Sequence, residues 1–556
     1  MVYSSKYAPL DLPRCNLLSY LFPPERPISN RPLWIDADDP SNTLSARQML
    51  AWVRRFAVGL DKIGVQEGQA VLVFSPNNIY VPIVFLGAIG SKRRFSGANP
   101  NYSVDELVYQ LKIVQAAAVF IHPTLLEAGL AACSRAGIQY GRIFLISSTE
   151  CEPVRGIQDW RKMVGTFSES ESYQWDDLGD TALSQVAVIN FSSGTTGLPK
   201  GVCITHHNLV CNLAQTISVK FDGSPPSDSA PGPQHRWLAF LPLYHAFSQF
   251  FTVLIACKLK YPTFVMEKFV FKKWLQHIER YRITSLQLVP PVLLMLDKQP
   301  ETAMHDLRSL GHVFCGAAPL SLDLKQRLSR RFQFRVTQGW GMTETTAAGS
   351  LIPDRMDDKT GSIGFLLPNT EAKLLDDAGC EVMEPGLPGE LWLKGPQIMF
   401  EYLGNKKATE DTLKDGWCRT GDVVFVKDDM WWIVDRKKEL IKVNGLQVAP
   451  AELEGLLVQQ PDIADAAVVG ITLDGQELPR AYVVLKDDTK GQRTVTEEAI
   501  KRFVSERVAK HKWLAGGIKF VDEVPKLPSG KIVRKIIKQW AQRDAASSKD
   551  EVKSKL

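Results

Sequence analysis

The ten residues from Ser192 to Gly201 carry the side chains best suited to chemistry on a polyphosphate. They read Ser-Ser-Gly-Thr-Thr-Gly-Leu-Pro-Lys-Gly and follow an apolar run, Val186 to Phe191, that predicts a buried strand. Glycines allow close backbone approach, hydroxyls donate hydrogen bonds and the lysine adds a point charge. The proline stands where the GxxxxGK[ST] spacing needs its second glycine, so this loop is of another kind. The candidate phosphate-binding residues are Ser192, Ser193, Gly194, Thr195, Thr196, Gly197 and Lys200.

Six further motifs follow in order along the chain. They are Leu241-Pro-Leu-Tyr-His245-Ala-Phe, Cys315-Gly-Ala-Ala-Pro-Leu320, Gln338-Gly-Trp-Gly-Met-Thr-Glu344, Thr420-Gly-Asp422, Asp435-Arg-Lys-Lys-Glu-Leu-Ile-Lys442 and Pro528-Ser-Gly-Lys531. In this order they resemble the signatures of the adenylate-forming superfamily, which comprises acyl-CoA synthetases, adenylation domains of non-ribosomal peptide synthetases and luciferases. The segments Gly445–Glu454 and Ser96–Pro100 are most similar to 4-coumarate–CoA ligases and related aryl- or acyl-CoA ligases.

The resemblance implies a site for ATP and Mg²⁺. Trp340 would stack on adenine, because a flat aromatic ring suits a base and its neighbours are glycines. Glu344 would bind Mg²⁺, which takes one or two carboxylates together with phosphate oxygens. Lys531 would bridge the substrate carboxylate and the α-phosphate and offset charge in the in-line transfer. The other residues assigned to the nucleotide are Ala317 at the adenine wall, Gln338, Gly339, Thr343 at the α-phosphate, and Asp422 and Arg436 at the ribose.

The same resemblance implies an acid pocket and a CoA site. His245 would close the acid pocket or gate CoA entry, although a histidine satisfied within the core is an alternative. The pocket residues are predicted to be Tyr244, Phe247, Ala317, Gly341 and Thr345, which favours an aryl or medium-chain acid over acetate. After rotation of a small domain, CoA would meet Lys438, Lys442, Gly445 and Gln447. Asn444 stands where plant coumarate ligases usually carry lysine.

Apolar runs that alternate with helical patterns predict an α/β fold with several sheets, followed by a small, mobile α+β domain. We predict a large adenylation domain over 1–434, a mobile domain over 435–544 and a flexible tail over 545–556. Residues 104–117 predict a helix and Ala118–Ile121 a strand, and the apolar run Phe250–Cys257 has the length of a core strand. Lys92-Arg93-Arg94 places three cations beside a strand that is expected to be buried.

Composition excludes several classes of protein. The 556 residues carry a net charge of +5. The positive excess lies from Arg436 onward, a segment with 23 basic and 17 acidic residues. Such a basic segment suits an anionic cofactor such as CoA. No aromatic residues interleave with these cations, which disfavours nucleic acid as a partner. No apolar run is long enough to span a membrane.

The final Ser554-Lys555-Leu556 predicts recognition by a peroxisomal import receptor and a location in the peroxisomal matrix.

The resulting hypothesis is an ATP-dependent carboxylic acid–CoA ligase that acts through an acyl adenylate. Two alternatives remain open at the level of sequence. One is a stand-alone adenylation enzyme that loads a carrier protein, and the other is a luciferase-like adenylating oxygenase. The hinge motif and the Gly445–Glu454 segment favour CoA as the acceptor.

Overall fold

The computed structural model describes residues 1–192, 198–224, 235–318, 320–443, 446–473, 476–486, 496–527 and 530–553, with side chains as far as Asp544. The strands, numbered in chain order, are β1 (Tyr3–Ser4), β2 (Pro32–Asp36), β3 (Thr43–Ser45), β4 (Ala70–Phe74), β5 (Arg94–Ala98), β6 (Ala116–Ile121), β7 (Ile143–Leu145), β8 (Val186–Ser192), β9 (Lys200–Thr205), β10 (Trp237–Ala239), β11 (Thr263–Val265), β12 (Ser285–Leu288), β13 (His312–Cys315), β14 (Arg335–Trp340), β15 (Ser350–Leu351), β16 (Phe365–Leu366), β17 (Glu371–Leu375), β18 (Gly389–Lys394), β19 (Glu401–Tyr402), β20 (Leu413–Lys414), β21 (Trp417–Lys427), β22 (Met430–Arg436), β23 (Ile441–Val443), β24 (Leu446–Val448), β25 (Ile463–Leu473), β26 (Gln476–Leu485) and β27 (Ile518–Phe520).

The helices are α1 (Leu17–Leu21), α2 (Ala46–Lys62), α3 (Val81–Gly90), α4 (Val104–Val114), α5 (Leu126–Ala136), α6 (Phe167–Glu171), α7 (His206–Lys220), α8 (Ala246–Ser248), α9 (Ala256–Leu259), α10 (Phe271–Tyr281), α11 (Pro290–Lys298), α12 (Leu322–Phe332), α13 (Lys406–Thr412), α14 (Pro450–Leu457), α15 (Glu497–Ser505) and α16 (Arg534–Lys553). A π-helical segment, Gln249–Ile255, joins α8 to α9. Within the described ranges, none of the helices combines the length and apolar character that crossing a membrane would require.

Three sheets build the larger part of the molecule. Within the described residues, one has the order β16-β15-β14-β13-β12-β10-β11-β2-β3 and a second the order β19-β9-β8-β5-β4-β6-β7. Neighbours from β14 to β2 and from β8 to β7 run parallel, whereas the third sheet, formed by β1, β17, β18, β20, β21 and β22, is antiparallel. Ligands of parallel sheets bind beyond the carboxyl ends of the strands, so the ends of β13 and β14 are where a site is expected.

Burial explains why these segments adopt their structures. Every residue of β4 is buried, as expected for a parallel strand covered on both faces. All ten residues of α3 are buried as well, and the hydrophobic core runs continuously from this helix to the neighbouring sheet strands. The strand predicted over Val186–Phe191 is confirmed as β8, and the helix and strand predicted after residue 104 are confirmed as α4 and β6.

A smaller α+β unit follows the antiparallel sheet. Its strands form the hairpin β23-β24 and the sheet β25-β26-β27, and its apolar core is separate from those of the larger sheets. Strand β22 carries Asp435 and Arg436 of the predicted hinge, and the first strand of the small unit begins at Ile441. The domain boundary between 434 and 435 stays a prediction.

One sequence-based expectation differs from the structure. The apolar run Phe250–Cys257 is helical and not a strand, because it lies within a segment buried on all sides, where the pattern does not distinguish the two. Helix α16 runs to Lys553 and so includes part of the tail predicted over 545–556, whose flexibility stays a prediction. The sequence from 545 to 553 contains two alanines and neither glycine nor proline, so nothing in it ends the helix.

The three cations at 92–94 are accommodated at the amino-terminal edge of β5, away from the strand ends where ligands bind. Lys92 follows α3 in a left-handed conformation (φ 58°) and pairs with Glu67 and Asp176. The buried Arg93 guanidinium donates to the carbonyl oxygens of Val65 and Ser91 and pairs with Asp61.

Candidate active site

Two parallel strands bring the adenine-wall motif and the Trp340 motif to one edge of a sheet. Cys315 of β13 pairs with Gln338 of β14, so the chain leaves both strands on the same side. The turn after β13 places Ala317 in the left-handed region (φ 70°). Both turns line a single cavity, together with the turn that carries Lys531.

The cavity is apolar on most of its surface and cationic at one point. Its lining residues are His245, Ala246, Phe247, Phe251, Phe314, Gly316, Ala317, Gly339, Trp340, Gly341, Met342, Thr343, Ala347, Ala348, Ser350 and Lys531. Trp340, Phe247 and Lys531, which are predicted for adenine, for the acid and for catalysis, therefore line one cavity.

Lys531 reaches the cavity on a tight turn of the small unit. The Gly530 backbone N–H donates to the carbonyl of Leu527 (2.7 Å), and the Leu527 N–H donates to the carbonyl of Lys531 (2.8 Å). Gly530 has φ 80°, and a Cβ there would lie 2.6 Å from Pro291 at the start of α11, so only glycine fits this approach. Burial, and then the neighbouring Arg436 guanidinium, lowers the pKa of Lys531, whereas Asp422 and Glu344 favour its charged form.

His245 faces this lysine from the large domain. It precedes α8, and its backbone N–H donates to the carbonyl of Pro242 (3.1 Å). Burial, reinforced by the charge of Lys531, lowers the pKa of His245 to about 4. The imidazole is therefore neutral at pH 7 and can accept or donate one hydrogen bond without adding a second cation to the cavity.

Asp422 is held by two groups at its carboxylate. The indole N–H of Trp340 donates to Oδ2 (2.7 Å), and the Arg436 Nε lies 3.1 Å from Oδ1. Asp422 and Arg436 are paired across the hairpin of β21 and β22. The Asp422 carboxylate raises the pKa of Arg436. The aromatic ring predicted for adenine and the carboxylate predicted for ribose thus form one hydrogen-bonded unit, a contact that the sequence motifs do not indicate.

Glu344, the predicted Mg²⁺ ligand, lies on a short turn over Thr343–Thr345 and is buried. Its Oε1 accepts a hydrogen bond from the hydroxyl of Tyr402 (2.7 Å). Burial and the nearby Glu344 carboxylate raise the pKa of Tyr402, so that this phenol keeps its proton. Lys200, which begins β9 at the end of the phosphate loop, has its Nζ 4.0 Å from the centre of the Tyr402 ring.

Gly341 allows the Glu344 turn to fold back onto β14. A Cβ at this position would lie 1.8 Å from the carbonyl oxygen of Ala347 and 2.7 Å from its carbonyl carbon. No side chain fits there, which explains a glycine directly after Trp340. The turn is closed by Thr345, whose hydroxyl accepts from the N–H of Met342 (3.0 Å) and donates to its carbonyl (3.0 Å).

The residues predicted for CoA are not in the cavity in this arrangement. Lys442 and Gln447, on the hairpin β23-β24, have Nζ and Nε2 at 3.5 and 3.3 Å from Oδ2 of Asp377, a residue of the large domain. Lys437 lies 3.4 Å from the same carboxylate. Burial, and then the charge of the neighbouring Arg436, lowers the pKa of Lys438.

Two residues predicted for the acid pocket lie outside the cavity lining, and their role in binding the acid stays a prediction. Thr345 does not line the cavity, because its side chain is fully buried in closing the turn. Tyr244 does not line it either, and its backbone packs against Gly97 at the end of β5. Gln338 is also outside the lining, and its side chain is buried against Ser362. Phe247, Ala317 and Gly341 do line the cavity.

Sequence reasoning missed the other walls of the pocket. Phe251 follows Phe247 by four residues on one helical segment, a spacing that places both on the same face and could have indicated it. Phe314 precedes the adenine-wall motif directly. Ser193, Gly194, Thr195, Thr196, Gly197, Asn444 and Gly445 lie outside the described residues, as do Ser554, Lys555 and Leu556.

The cavity joins Trp340 of the nucleotide motif, Thr343 of the turn that carries Glu344, and Lys531 of the second domain, as the resemblance to adenylate-forming enzymes predicts. The family model described as AMP-binding enzyme matches residues 24–403, and that of the AMP-binding enzyme C-terminal domain matches residues 452–531. The chain belongs to this family of AMP-binding enzymes.

Relatives of known name cover almost the whole chain. It is 37% identical to the acyl-CoA ligase azaF of Aspergillus niger, over 95% of this chain and 98% of the relative. It is 36% identical to the phenylacetyl-CoA ligase epaB of Aspergillus niger (95% and 97%) and 34% identical to a 4-coumarate–CoA ligase of Pinus taeda (96% and 96%).

Solved structures share the fold at low identity. The anthranilate CoA ligase AuaEII in complex with anthranoyl-AMP matches with a TM-score of 0.84 at 23% identity, over 97% of this chain and 99% of that one. ATP-bound MatB from Rhodopseudomonas palustris matches with a TM-score of 0.81 at 22% identity, over 96% and 100%.

Proposed function

We propose that this protein activates an aryl or medium-chain carboxylic acid and transfers its acyl group to CoA. The protein is an AMP-forming acid–CoA ligase, with ATP and CoA as substrates. The observation that carries the proposal is the position of Lys531, which lies in one cavity with Trp340 of the nucleotide motif and with the aromatic side chains of the acid pocket.

The chemistry needs two displacements. A carboxylate resists attack by a thiol because it is anionic and its oxygen leaves poorly. In the first step a carboxylate oxygen attacks the α-phosphorus of ATP and the bond to the β-phosphate oxygen breaks, releasing pyrophosphate. In the second step the CoA thiol loses its proton, sulfur attacks the acyl carbon, and the bond to AMP breaks. In the first step two anions, the substrate carboxylate and the α-phosphate, must approach each other. Lys531 lines the cavity as a cation and would lower the electrostatic free energy of this approach.

The residues present fit a nucleotide with Mg²⁺. The Ser192 hydroxyl at the start of the phosphate loop is buried and has no hydrogen-bond partner among the described residues, so it is available to a phosphate oxygen. One oxygen of Glu344 is occupied by Tyr402, which leaves the other for a cation. When bound with the phosphates, Mg²⁺ supplies charge neutralisation at the leaving pyrophosphate.

The acid pocket is walled by phenylalanine rings. The ring centres of Phe247 and Phe251 are 4.9 Å apart, and those of Phe251 and Phe314 are 4.8 Å apart. These rings offer an apolar, aromatic surface for an aryl or alkyl group. Such a surface has little to contact in acetate, which supports the larger acids.

The test is the product nucleotide from a panel of acids. Purified protein with ATP, Mg²⁺ and CoA should form AMP, pyrophosphate and a thioester with phenylacetate, benzoate, 4-coumarate, hexanoate or octanoate, and least with acetate. Omission of CoA should leave acid-dependent pyrophosphate exchange intact. Formation of ADP and phosphate would contradict the adenylate mechanism, and a preference for acetate would contradict the proposed acid.

A location in the peroxisomal matrix is also proposed, on the tripeptide Ser554-Lys555-Leu556 alone. Deletion of these three residues should move a tagged protein to the cytosol and leave its activity in vitro unchanged. Continued import of the truncated protein would contradict the role given to the tripeptide.

A further inference from the structure

Residues Met399 to Leu403 lie between the phosphate-loop strand and the turn that carries Glu344. On one side, β19 pairs with β9, and the Leu403 N–H donates to the carbonyl of Gly201 (2.7 Å). On the other side, the Met399 N–H donates to the carbonyl of Glu344 (2.8 Å). This short segment therefore fixes the two parts of the nucleotide site relative to each other through its backbone.

Tyr402 makes the corresponding side-chain connection. It is 3% exposed, and its hydroxyl donates to Oε1 of Glu344 at 2.7 Å. The face of its ring lies 4.0 Å from the Nζ of Lys200. One buried side chain thus contacts both the predicted metal carboxylate and the predicted phosphate lysine, through two different chemical groups.

We propose that Tyr402 is a positioning residue for the Mg²⁺–ATP complex, an inference that rests on the proposed ATP-dependent activation. Its hydroxyl fixes the rotamer of Glu344 and occupies one carboxylate oxygen, which would leave the other for the cation. Its ring holds the flexible Lys200 side chain over the loop by a cation–π contact. The two contacts are separable, because phenylalanine would keep the ring and lose the hydroxyl.

Two substitutions distinguish the roles. Tyr402→Phe should weaken the apparent affinity for Mg²⁺ at saturating ATP by about 10-fold, the lower end of what groups that support a metal ligand contribute. It should leave the binding of metal-free ATP, measured by calorimetry in EDTA, unchanged. Tyr402→Leu also loses the ring, so it should weaken the binding of metal-free ATP as well.

The matched control is Tyr482→Phe. Tyr482 is a buried tyrosine of the small domain whose hydroxyl donates to Asp544 at 2.7 Å, so this change removes the same kind of hydrogen bond away from the nucleotide. It should leave Mg²⁺ affinity as in the wild type. Equal weakening of ATP binding by Tyr402→Phe with and without Mg²⁺, or a normal Mg²⁺ affinity, would overturn the inference.

A double variant tests separately whether Tyr402 acts through Glu344. If Tyr402 acts through Glu344, Tyr402→Phe should add no loss of Mg²⁺ affinity in a Glu344→Gln background. Additive losses would overturn the inference. Failure of the wild-type protein to bind Mg²⁺–ATP would contradict the proposed function itself and is therefore distinguishable from these outcomes.

Discussion

Lys531 is the residue whose loss should separate the two half-reactions. Lys531→Ala should slow acyl-adenylate formation by about 10²–10³-fold, the usual value of one electrostatic group at a reacting centre. Thioester formation from supplied acyl-AMP should persist, since the resemblance implies that the small domain has then rotated. Single-turnover assays of each step measure both.

Lys526→Ala is the matched control for this lysine. Its Nζ lies 2.7 Å from Asp465 within the small domain and does not line the cavity. It should leave both steps near the wild-type rate. Equal damage to both steps by Lys531→Ala would contradict the alternation of domains and favour a single fixed site.

The Trp340 indole gives a second prediction at the residue scale. Trp340→Phe keeps a ring for adenine and removes the N–H that donates to Asp422. Hydrogen bonds to charged groups contribute about 1.5–3 kcal/mol, so we expect the KM for ATP to rise about tenfold or more, with a smaller change in kcat.

Trp432→Phe provides the comparison. Trp432 lies on the same hairpin as Asp422, and its side chain does not line the cavity. Its indole N–H donates to the carbonyl of Thr360 (3.3 Å). The KM for ATP should not change in this variant. If Trp340→Phe binds ATP normally, the Asp422 carboxylate does not depend on the indole for its orientation.

At the scale of elements, the docking of the Lys531 turn depends on Gly530. Gly530→Ala would place a Cβ 2.6 Å from Pro291 and force an unfavourable positive φ. The turn should no longer seat against α11, so adenylation should fall while thioester formation from acyl-AMP is retained. Half-reaction assays measure the two effects.

Gly455→Ala is the control, because a Cβ fits at this position. This glycine lies in α14 and has negative φ, and a Cβ there would meet its nearest neighbour, Ser321, at 3.7 Å. Alanine in a helix stabilises by about 1 kcal/mol relative to glycine, so stability should be equal or higher. A Gly530→Ala variant with normal adenylation would show that the turn docks in another way.

The sequence allowed the prediction of elements where a local pattern was unambiguous. The Val186–Phe191 run predicted β8, and the resemblance carried by the ordered motifs implied that Trp340, Glu344 and Lys531 share one site. The pairing of β19 with β9 joins segments about 200 residues apart, and no local pattern encodes it. The contacts of Tyr402 and the contact of Asp422 with Trp340 depend on such pairings, so they could not be predicted. The helical segment at Phe250 was missed because uniform burial removes the periodic signal.

At the scale of the whole molecule, buried histidines should make stability depend on pH. Burial lowers the pKa of His206 to about 3 and those of His245 and His312 to about 4. The unfolded chain takes up these protons below about pH 6.5, so the free energy of unfolding should fall as the pH falls from 6.5 toward 4. Burial raises the pKa of Asp435 to about 6, which acts in the opposite direction.

Urea unfolding at pH 7, 6 and 5 measures the slope of the free energy of unfolding against pH. His206→Asn should reduce it, because asparagine does not titrate and its Oδ1 can accept from the Leu17 N–H as the histidine Nδ1 does (3.1 Å). An unchanged slope in this variant would show that His206 is not one of the groups responsible.

The contacts around Asp377 imply a sensitivity to salt. Its side chain is 49% exposed and that of Lys442 is 63% exposed, so the ions of the solvent screen their attraction, with a Debye length of about 8 Å at physiological ionic strength. These contacts hold the small domain where Lys531 faces the cavity. Added salt should therefore slow adenylation relative to thioester formation, and Asp377→Asn should abolish this difference. The ionic strength of the compartment would then help to set how long each acyl adenylate waits for CoA.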